Sequence, residues 1–285
     1  MTSITSEEFL RWNESIIHLI GSDNVERFPE SLVYAIEGLT HLDNGLIVFY
    51  GKNTKPVNIY DNAEESLRYQ NIDAYFEGAY LLDPYYRAGL EGIKTGLYHL
   101  SDISPPGFYN SEYYKRFFRS SMISDEVGFI VHLEENCFAN VSLVNLFGSP
   151  AFSKTEINRL RLALPVVRDI LEKYRGHQKE QVGEDAPQLH SQLEAALSVF
   201  GSSVLTRREC EIVRMYLHGH STKSIAERLF ISDHTVSLHR KNLYAKLKVS
   251  SQAELFHLFI ESLSCVDKEL KYDPLELYLH NKALP

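Results

Sequence analysis

Three helix-start signals follow one another closely between Leu205 and Leu247, and they leave room only for short helices joined by tight turns. In Leu205-Thr206-Arg207-Arg208-Glu209 the Thr206 hydroxyl can accept the Glu209 backbone N–H while that carboxylate returns to the Thr206 N–H. This is a capping box, and it starts a helix near Arg207. Ile212, Val213, Tyr216 and Leu217 recur at helical spacing, and Gly219 supplies the positive φ at which helices commonly stop. A second helix is expected after Ser221, with Ile225, Ala226 and Leu229 inward; the small Ala226 lets a crossing helix approach closely. Ile231-Ser232 makes the next turn, and Ser232 is the N-cap of a third helix running to about Leu247.

On a wheel of roughly 100° per residue, Val236, Leu243 and Leu247 of that third helix share one direction, flanked by His239 and Arg240. The opposite side carries His234, Ser237, Leu238, Lys241, Asn242 and Ala245. Amide, hydroxyl and apolar contacts are the means by which base edges are read, while Lys and helix N-termini hold phosphates. Charge is segregated in the same sense. Residues 205–260 hold 9 Lys and Arg against 5 Asp and Glu, a balance of +4 in a chain of net −9. The rest of the chain is strongly acidic, as expected if only this segment meets nucleic acid.

Leu205-Thr206-x-Arg208-Glu209, Gly219-x-Ser221-x-Lys223-x-Ile225-Ala226 and Ile231-Ser232-x-x-Thr235-Val236-x-x-His239-x-x-Asn242-Leu243-x-x-Lys246-Leu247 together resemble the DNA-binding domain of LuxR-type transcriptional regulators. The resemblance extends to Ile260. It implies that the third helix docks in the major groove of double-stranded DNA, usually as one half of a homodimer on a two-fold operator. The base-reading positions correspond to Ser237, Leu238 and Lys241, with Thr235, Asn242, Lys223 and Lys246 as further DNA contacts. RNA polymerase is the implied partner if the protein activates. Ser237 stands where the family commonly carries Lys, and Gln252 where it often carries Arg.

At 285 residues the chain is long enough for two domains. No apolar run approaches the roughly 20 residues of a membrane span, and the N-terminus lacks a basic-then-apolar signal, so a cytoplasmic location without membrane contact is expected. Cys137, Cys210 and Cys265 are isolated and read as small buried hydrophobes. Histidines show no metal-ligand spacing. No Gly-rich phosphate loop, Gly-x-Ser-x-Gly or His-Glu-x-x-His occurs, so neither an enzyme nor a cofactor is expected.

Residues 1–174 alternate helix and strand signals. Phe9, Trp12, Ile16, Leu19 and Ile20 mark an opening amphipathic helix, and Leu32, Val33, Ile36 and Leu39 a second. Leu46–Tyr50 and Val57–Tyr60 are expected strands, Ala63–Ala79 a helix, and Phe129–Leu133 with Phe138–Leu146 a hairpin. The expected fold is an α+β N-terminal sensor domain, an antiparallel sheet flanked by helices, joined to an all-α helix-turn-helix C-terminal domain. The first part looks like the GAF/PAS-like sensor domains that precede this DNA-binding unit in many family members. It is also similar to the autoinducer-binding domain around Tyr75-x-x-x-x-Tyr80-x-x-Asp83-Pro84, where the family's Asp accepts a ligand amide N–H. Here the spacing is shifted, and Tyr98 stands about where a ring-contacting Trp is expected.

Tyr75, Phe76, Tyr80, Tyr85, Tyr86 and Tyr98 around Asp83 concentrate rings about one carboxylate. Such a group suits an amine-bearing effector, because aromatic faces attract ammonium and the carboxylate supplies countercharge. Tyr75, Tyr80, Asp83, Tyr85 and Tyr98 are the candidate ligand residues. Two readings stand beside this: Asp83 as an N-cap with Pro84 at N1, and control by a protein partner or an acyl-homoserine lactone-like signal instead. Ser153-Lys154-Thr155-Glu156 is a second capping box that launches a helix to about Tyr174. Its Ile157, Leu160, Leu164, Val167, Leu171 and Tyr174 form a seam for the chain's own sheet or for a dimer partner, and Pro165 argues for a kink. The expected organisation is a sensor over 1–174, a linker with a short connecting helix over 175–203, the DNA-binding domain over 204–260 and an apolar tail over 261–285 that docks back on the protein or a partner.

Overall fold

The computed structural model describes residues 5–21, 24–51, 54–63, 72–134, 137–181, 188–263 and 273–283. The chain divides into two compact units. One comprises residues 1–67, 88–103 and 122–186, the other 68–87, 104–121 and 187–285.

The first unit holds α1 (Ser6–Ile20), α2 (Phe28–Glu37), β1 (Asn44–Gly51), β2 (Thr54–Asp61), β3 (Gly96–His99), β4 (Ile123–Glu134), β5 (Cys137–Leu146) and α3 (Lys154–Gln181). Among the described residues the strands form one antiparallel sheet in the order β2-β1-β5-β4-β3. Central β5 pairs with β1 from Val144 opposite Asn44 to Cys137 opposite Gly51, and with β4 on its other side. One sheet face presents Ile47, Phe49, Val127, Phe129, Ala139, Val141 and Leu143 to the apolar sides of the helices. Leu19 of α1, Leu32, Val33 and Ile36 of α2, and Leu160, Val167, Ile170 and Leu171 of α3 close that core. Burial of this kind contributes roughly 25 cal/mol per Å² of apolar surface.

The helix seam of α3 is therefore used on the chain's own sheet, one of the two uses expected of it. The helix starts at its capping box, with Ser153 N–H donating to Glu156 Oε2 at 2.8 Å and Glu156 N–H returning to Ser153 Oγ at 3.2 Å. It runs unbroken through Pro165 and on to Gln181, seven residues beyond Tyr174. The stretch from Arg175 was expected to be linker on account of its polarity and Gly176. Gln, Lys and Glu are good helix formers, and helical propensity outweighs one glycine once a long helix supplies the nucleus.

Two other expectations change. Strand β3 has only four residues and was not expected at all; such a short run carries little period-2 signal. The described part of the expected helix 63–79 is a single α-turn, Asp73–Phe76, and a 3₁₀ turn, Ala79–Leu82, separated by Gly78 at φ 151°. Leu67, with the rest of 64–71, lies outside the described residues, as do the hairpin residues 135–136, the linker core 182–187, and Cys265, Leu270 and Tyr272.

The second unit contains the short helix turns at 73–82, the first turn of helix Pro84–Leu90, and the aromatic segment 104–121. It also holds α4 (Gln188–Val199), α5 (Arg207–Leu217), α6 (Thr222–Leu229), α7 (Asp233–Leu247), α8 (Gln252–Leu263) and α9 (Pro274–Ala283). Residues 68–87 and 104–121 thus group with the helical unit, although their place in the chain assigns them to the sensor. The described residues 273–283 of the tail form α9, which packs against α8 and buries Leu275. Its buried Asp273 accepts from Gly201 N–H and Ser203 N–H, both at 2.9 Å, from Ser203 Oγ at 2.7 Å, and from Leu275 N–H at 3.0 Å. One carboxylate both caps α9 and fixes the α4–α5 loop.

In the first unit His99 Nε2 lies 2.7 Å from Asp125 Oδ1, while Phe152 N–H donates to Asp125 Oδ2 at 2.8 Å. The hydrogen bond to Asp125 raises the His99 pKa above 6.5 in spite of burial. Burial pushes Asp125 up, but the donors His99 and Phe152 N–H prevail and hold it below 3.8. A raised imidazole pKa contributes stability below its unfolded value and loses it as pH rises through the folded value. The lowered carboxylate contributes above its unfolded value and loses it as pH falls through the folded one. The pair should count most between about pH 4 and 6.5. His99→Gln is expected to cost ~1–2 kcal/mol near pH 5.5 and less near pH 8.5 in urea unfolding; an equal loss at both would sink this account.

Candidate nucleic-acid interface and the buried Asp83 cluster

The DNA-facing surface is built from the caps upward. Thr206 and Glu209 make the expected reciprocal box at the start of α5. Ser221 accepts the Ser224 N–H at 3.2 Å at the start of α6, and Ser232 accepts the Thr235 N–H at 3.1 Å at the start of α7. The turn between α6 and α7 places Phe230, ahead of the expected Ile231-Ser232, in the left-handed region at φ 54°. Ile212, Val213, Ile225, Ala226, Val236, Leu243 and Leu255 then form the core that fixes the crossing of α5, α6 and α7.

Val236, Leu243 and Leu247 are buried, as the wheel requires, and His239 and Arg240 sit at the half-buried margin. The Arg240 guanidinium lies 6.0 Å over the Tyr216 ring. On the far side His234, Lys241, Asn242 and Ala245 are exposed, Leu238 is 52% exposed, and Ser237 and Thr235 are half-buried. Lys223, in the first turn of α6, is exposed too. The structure thus brings Thr235, Ser237, Leu238, Lys241 and Asn242 together on one helix face.

Lys246 also has a partner within the helical unit. Its Nζ lies 2.6 Å from Glu209 Oε2, tying the last turn of α7 to the cap of α5. Burial pushes the Glu209 pKa up, but Lys246 and the Thr206 donors outweigh it and hold the group below 4.5. The amide of Gln252 donates to the Tyr216 carbonyl at 3.2 Å, sealing the end of α5, so the residue that replaces the family's Arg has an internal task.

The candidate ligand residues separate. Tyr75, Tyr80, Asp83 and Tyr85 belong to the second unit, and Tyr98 to the first, where its hydroxyl donates to the Lys94 carbonyl at 2.7 Å. Asp83 is 7% exposed. Its Oδ1 accepts the Tyr85 N–H at 2.8 Å and its Oδ2 the Tyr75 hydroxyl at 2.6 Å. This is the geometry of an N-cap with Pro84 at N1. Burial raises its pKa to about 6, against the lowering effect of Tyr75 and the backbone donors. Tyr80 and Tyr86 meet edge to face at 5.2 Å, and the Tyr86 hydroxyl donates to Glu194 of α4 at 2.7 Å.

The segment 104–121 reaches the corner between α5 and α6. The Ser221 N–H donates to the Pro106 carbonyl at 2.8 Å. A Cβ on Gly107, at φ 103°, would stand 2.8 Å from the Ser221 nitrogen, and one on Gly219 3.1 Å from Phe108 Cα. Both glycines are required by close approach. Sequence reasoning missed Pro106, Gly107, Glu194 and Asp273. Only Asp273 had a readable signal, because Asp273-Pro274 repeats the Asp83-Pro84 cap pattern.

Comparison with known proteins agrees with this geometry. Residues 203–259 match the GerE family, described as bacterial regulatory proteins of the luxR family. An HTH-type transcriptional regulator in the exeN 3'region of Aeromonas salmonicida is 31% identical over 186 residues, 64% of this chain and 94% of that protein. The monoamine regulon transcriptional regulator of Klebsiella aerogenes is 31% identical over 150 residues, 51% of this chain and 54% of that protein. Among solved structures, the VqsR LBD domain from Pseudomonas aeruginosa is 28% identical with a TM-score of 0.51, covering 58% of this chain and 96% of that one.

Lys241→Ala should weaken operator binding by about 1–3 kcal/mol and flatten its salt dependence, measured by titration at several salt concentrations. Lys246→Met should instead lower stability by roughly 1–3 kcal/mol, because it strips a buried carboxylate of a donor, with base preference unchanged. Tyr75→Phe removes a donor from Asp83 on which the ionised form depends more than the protonated form. Its stability cost should therefore be larger above pH 6 than below it, and a loss independent of pH would contradict that role.

Proposed function

The chain belongs to the LuxR family of bacterial regulatory proteins, and from that premise we propose that it is a sequence-specific DNA-binding regulator controlled by a small molecule held in its N-terminal domain. The family is one of transcriptional regulators rather than enzymes. The observation that carries the proposal is the two-sidedness of α7. Its Val236, Leu243 and Leu247 side is core, while Leu238, Lys241 and Asn242 stand open on the other. Helix α7 enters the major groove, Ser237, Leu238 and Lys241 read base edges, and Thr235, Asn242 and Lys223 hold position. Two copies on a two-fold operator place two such helices one helical turn apart.

Control is supported by the sensor segments that pack with the helical unit. Pro106 takes the N–H at the head of α6, an end where the backbone donors and the helix dipole favour phosphate. Tyr86 holds Glu194 on α4, the helix that leads into the DNA-binding domain. The Asp83 cluster, with donors on both oxygens, serves as the coupling element: an effector that repositions its rings shifts α4 and the Pro106 contact together. The likeness to a monoamine-regulon regulator favours an amine-bearing effector over a lactone.

Mass spectrometry of small molecules retained by the purified full chain, followed by operator titration with and without them, tests the reading. The effector should change operator affinity at least tenfold in the natural protein. In Gly107→Ala, whose added methyl collides with Ser221, the change should fall below twofold. An undiminished response would show that control does not pass through this contact.

A further inference from the structure

We infer that Phe230 belongs to the DNA-reading surface, its ring packing on a thymine methyl at the edge of the groove that α7 enters. The inference rests on the role proposed for α7 and adds a specificity-determining residue that lies outside that helix.

Phe230 stands at the end of α6, where the Ile231 N–H reaches back to the Ala226 carbonyl at 3.0 Å and the Phe230 N–H to the Glu227 carbonyl at 3.4 Å. These two bonds make the Schellman ending of a helix, which places the residue after the helix in the left-handed region, where glycine sits at least cost. Phe230 adopts that conformation at φ 54° and ψ 43°. A bulky side chain is strained there. The backbone makes both bonds, so the ring is not needed to end the helix.

Nor is the ring spent on packing. Phe230 is 94% exposed, the most open large apolar side chain among the described residues, with Ile17 next at 71%. Lys248 holds the same left-handed position after α7, at φ 56°, but its charged end is at home in water. A phenyl ring at such a position combines backbone strain with an apolar surface left in solvent. Strain kept where a smaller residue would serve is a mark of function, and here the function lies outside the chain.

Position decides what the ring meets. Phe230 comes two residues before Ser232, the N-cap of α7, and the exposed surface continues through Ser232, Asp233 and His234 to Leu238 and Lys241. In a helix-turn-helix unit the N-terminal residues of the second helix approach the base edges, and the turn before them comes down with them. Phenylalanine reads a base there by apolar contact with the C5-methyl of thymine. Leu238 supplies one apolar contact within the groove face, and Phe230 a second at its entrance. Such a contact carries sequence preference and no charge, so it adds to specificity without adding to salt dependence.

The test uses the full chain and a duplex that it selects from a randomised pool. Phe230→Gly should bind this duplex about tenfold more weakly, the effect of leaving one ring uncovered, with the dependence of affinity on salt unchanged. Its unfolding temperature should stay the same or rise, because the strain is relieved and little packing is lost. Replacing each thymine by uracil in turn should weaken the natural protein about fourfold at one position of each half-site, the effect of one methyl group. Phe230→Gly should be indifferent to that replacement, and Phe230→Leu, which keeps an apolar body, should retain most of the affinity. Natural affinity in Phe230→Gly, or the same uracil penalties in both proteins, overturns the inference. A lower unfolding temperature in Phe230→Gly makes the ring structural and overturns it too. Natural affinity joined to lost transcription in a reaction reconstituted with RNA polymerase would assign the ring to a protein partner instead. A pool that yields no preferred duplex removes the DNA-reading role of α7 itself, and this inference with it.

Discussion

The carboxylate of Glu209 is the interaction on which the DNA-binding surface depends. It closes the capping box at the head of α5 and, through the same Oε2, holds Lys246 in the last turn of α7. A side chain so buried is tolerable only because each of its donors is in place. The consequence is mechanical: the helix that presents Lys241 and Leu238 is fixed relative to its scaffold at its C-terminal end by charge and along its length by Val236 and Leu243. A groove-reading face needs that rigidity, since base-edge hydrogen bonds tolerate little misplacement.

A second carboxylate does similar work at the other side of the helical unit. Asp273 binds the loop between α4 and α5 through several donors, and Phe200 meets Phe259 edge to face at 5.2 Å beside it. Arg214 adds a bond to the Ser198 carbonyl at 3.0 Å. The connecting helix α4 is therefore part of the DNA-binding unit. With Tyr86 bonded to Glu194 on the same helix, a continuous set of contacts runs from the Asp83 cluster to α5. Coupling of this kind acts through an element with defined partners at both ends, and each partner can be removed singly.

The caps, the helix spacings and the inward faces of α5, α6 and α7 were legible because they are local. A capping box is four residues long, and its chemistry is complete within them. The same holds for the seam of α3 and for Asp83 as an N-cap before Pro84. What was not legible is long-range. Nothing in Pro106 or Gly107 announces that the corner at Ser221 lies against them, and nothing in Lys246 announces its ion pair with Glu209, 37 residues earlier. β3 escaped because four residues hold too few alternations, and the continuation of α3 past Tyr174 because polarity was weighed above helical propensity.

The reach of Asp273 has a consequence for how the protein is made. Its bonds to Gly201 and Ser203 span 72 and 70 residues of chain, and closing a loop of that size costs entropy before any contact repays it. On the ribosome, α5, α6 and α7 emerge well before residue 273, so they can take up their helical form while the loop that joins them to α4 still lacks its anchor. The bonds that tie the loop between α4 and α5 to Asp273 can form only once residue 273 has been made, after the helices they anchor.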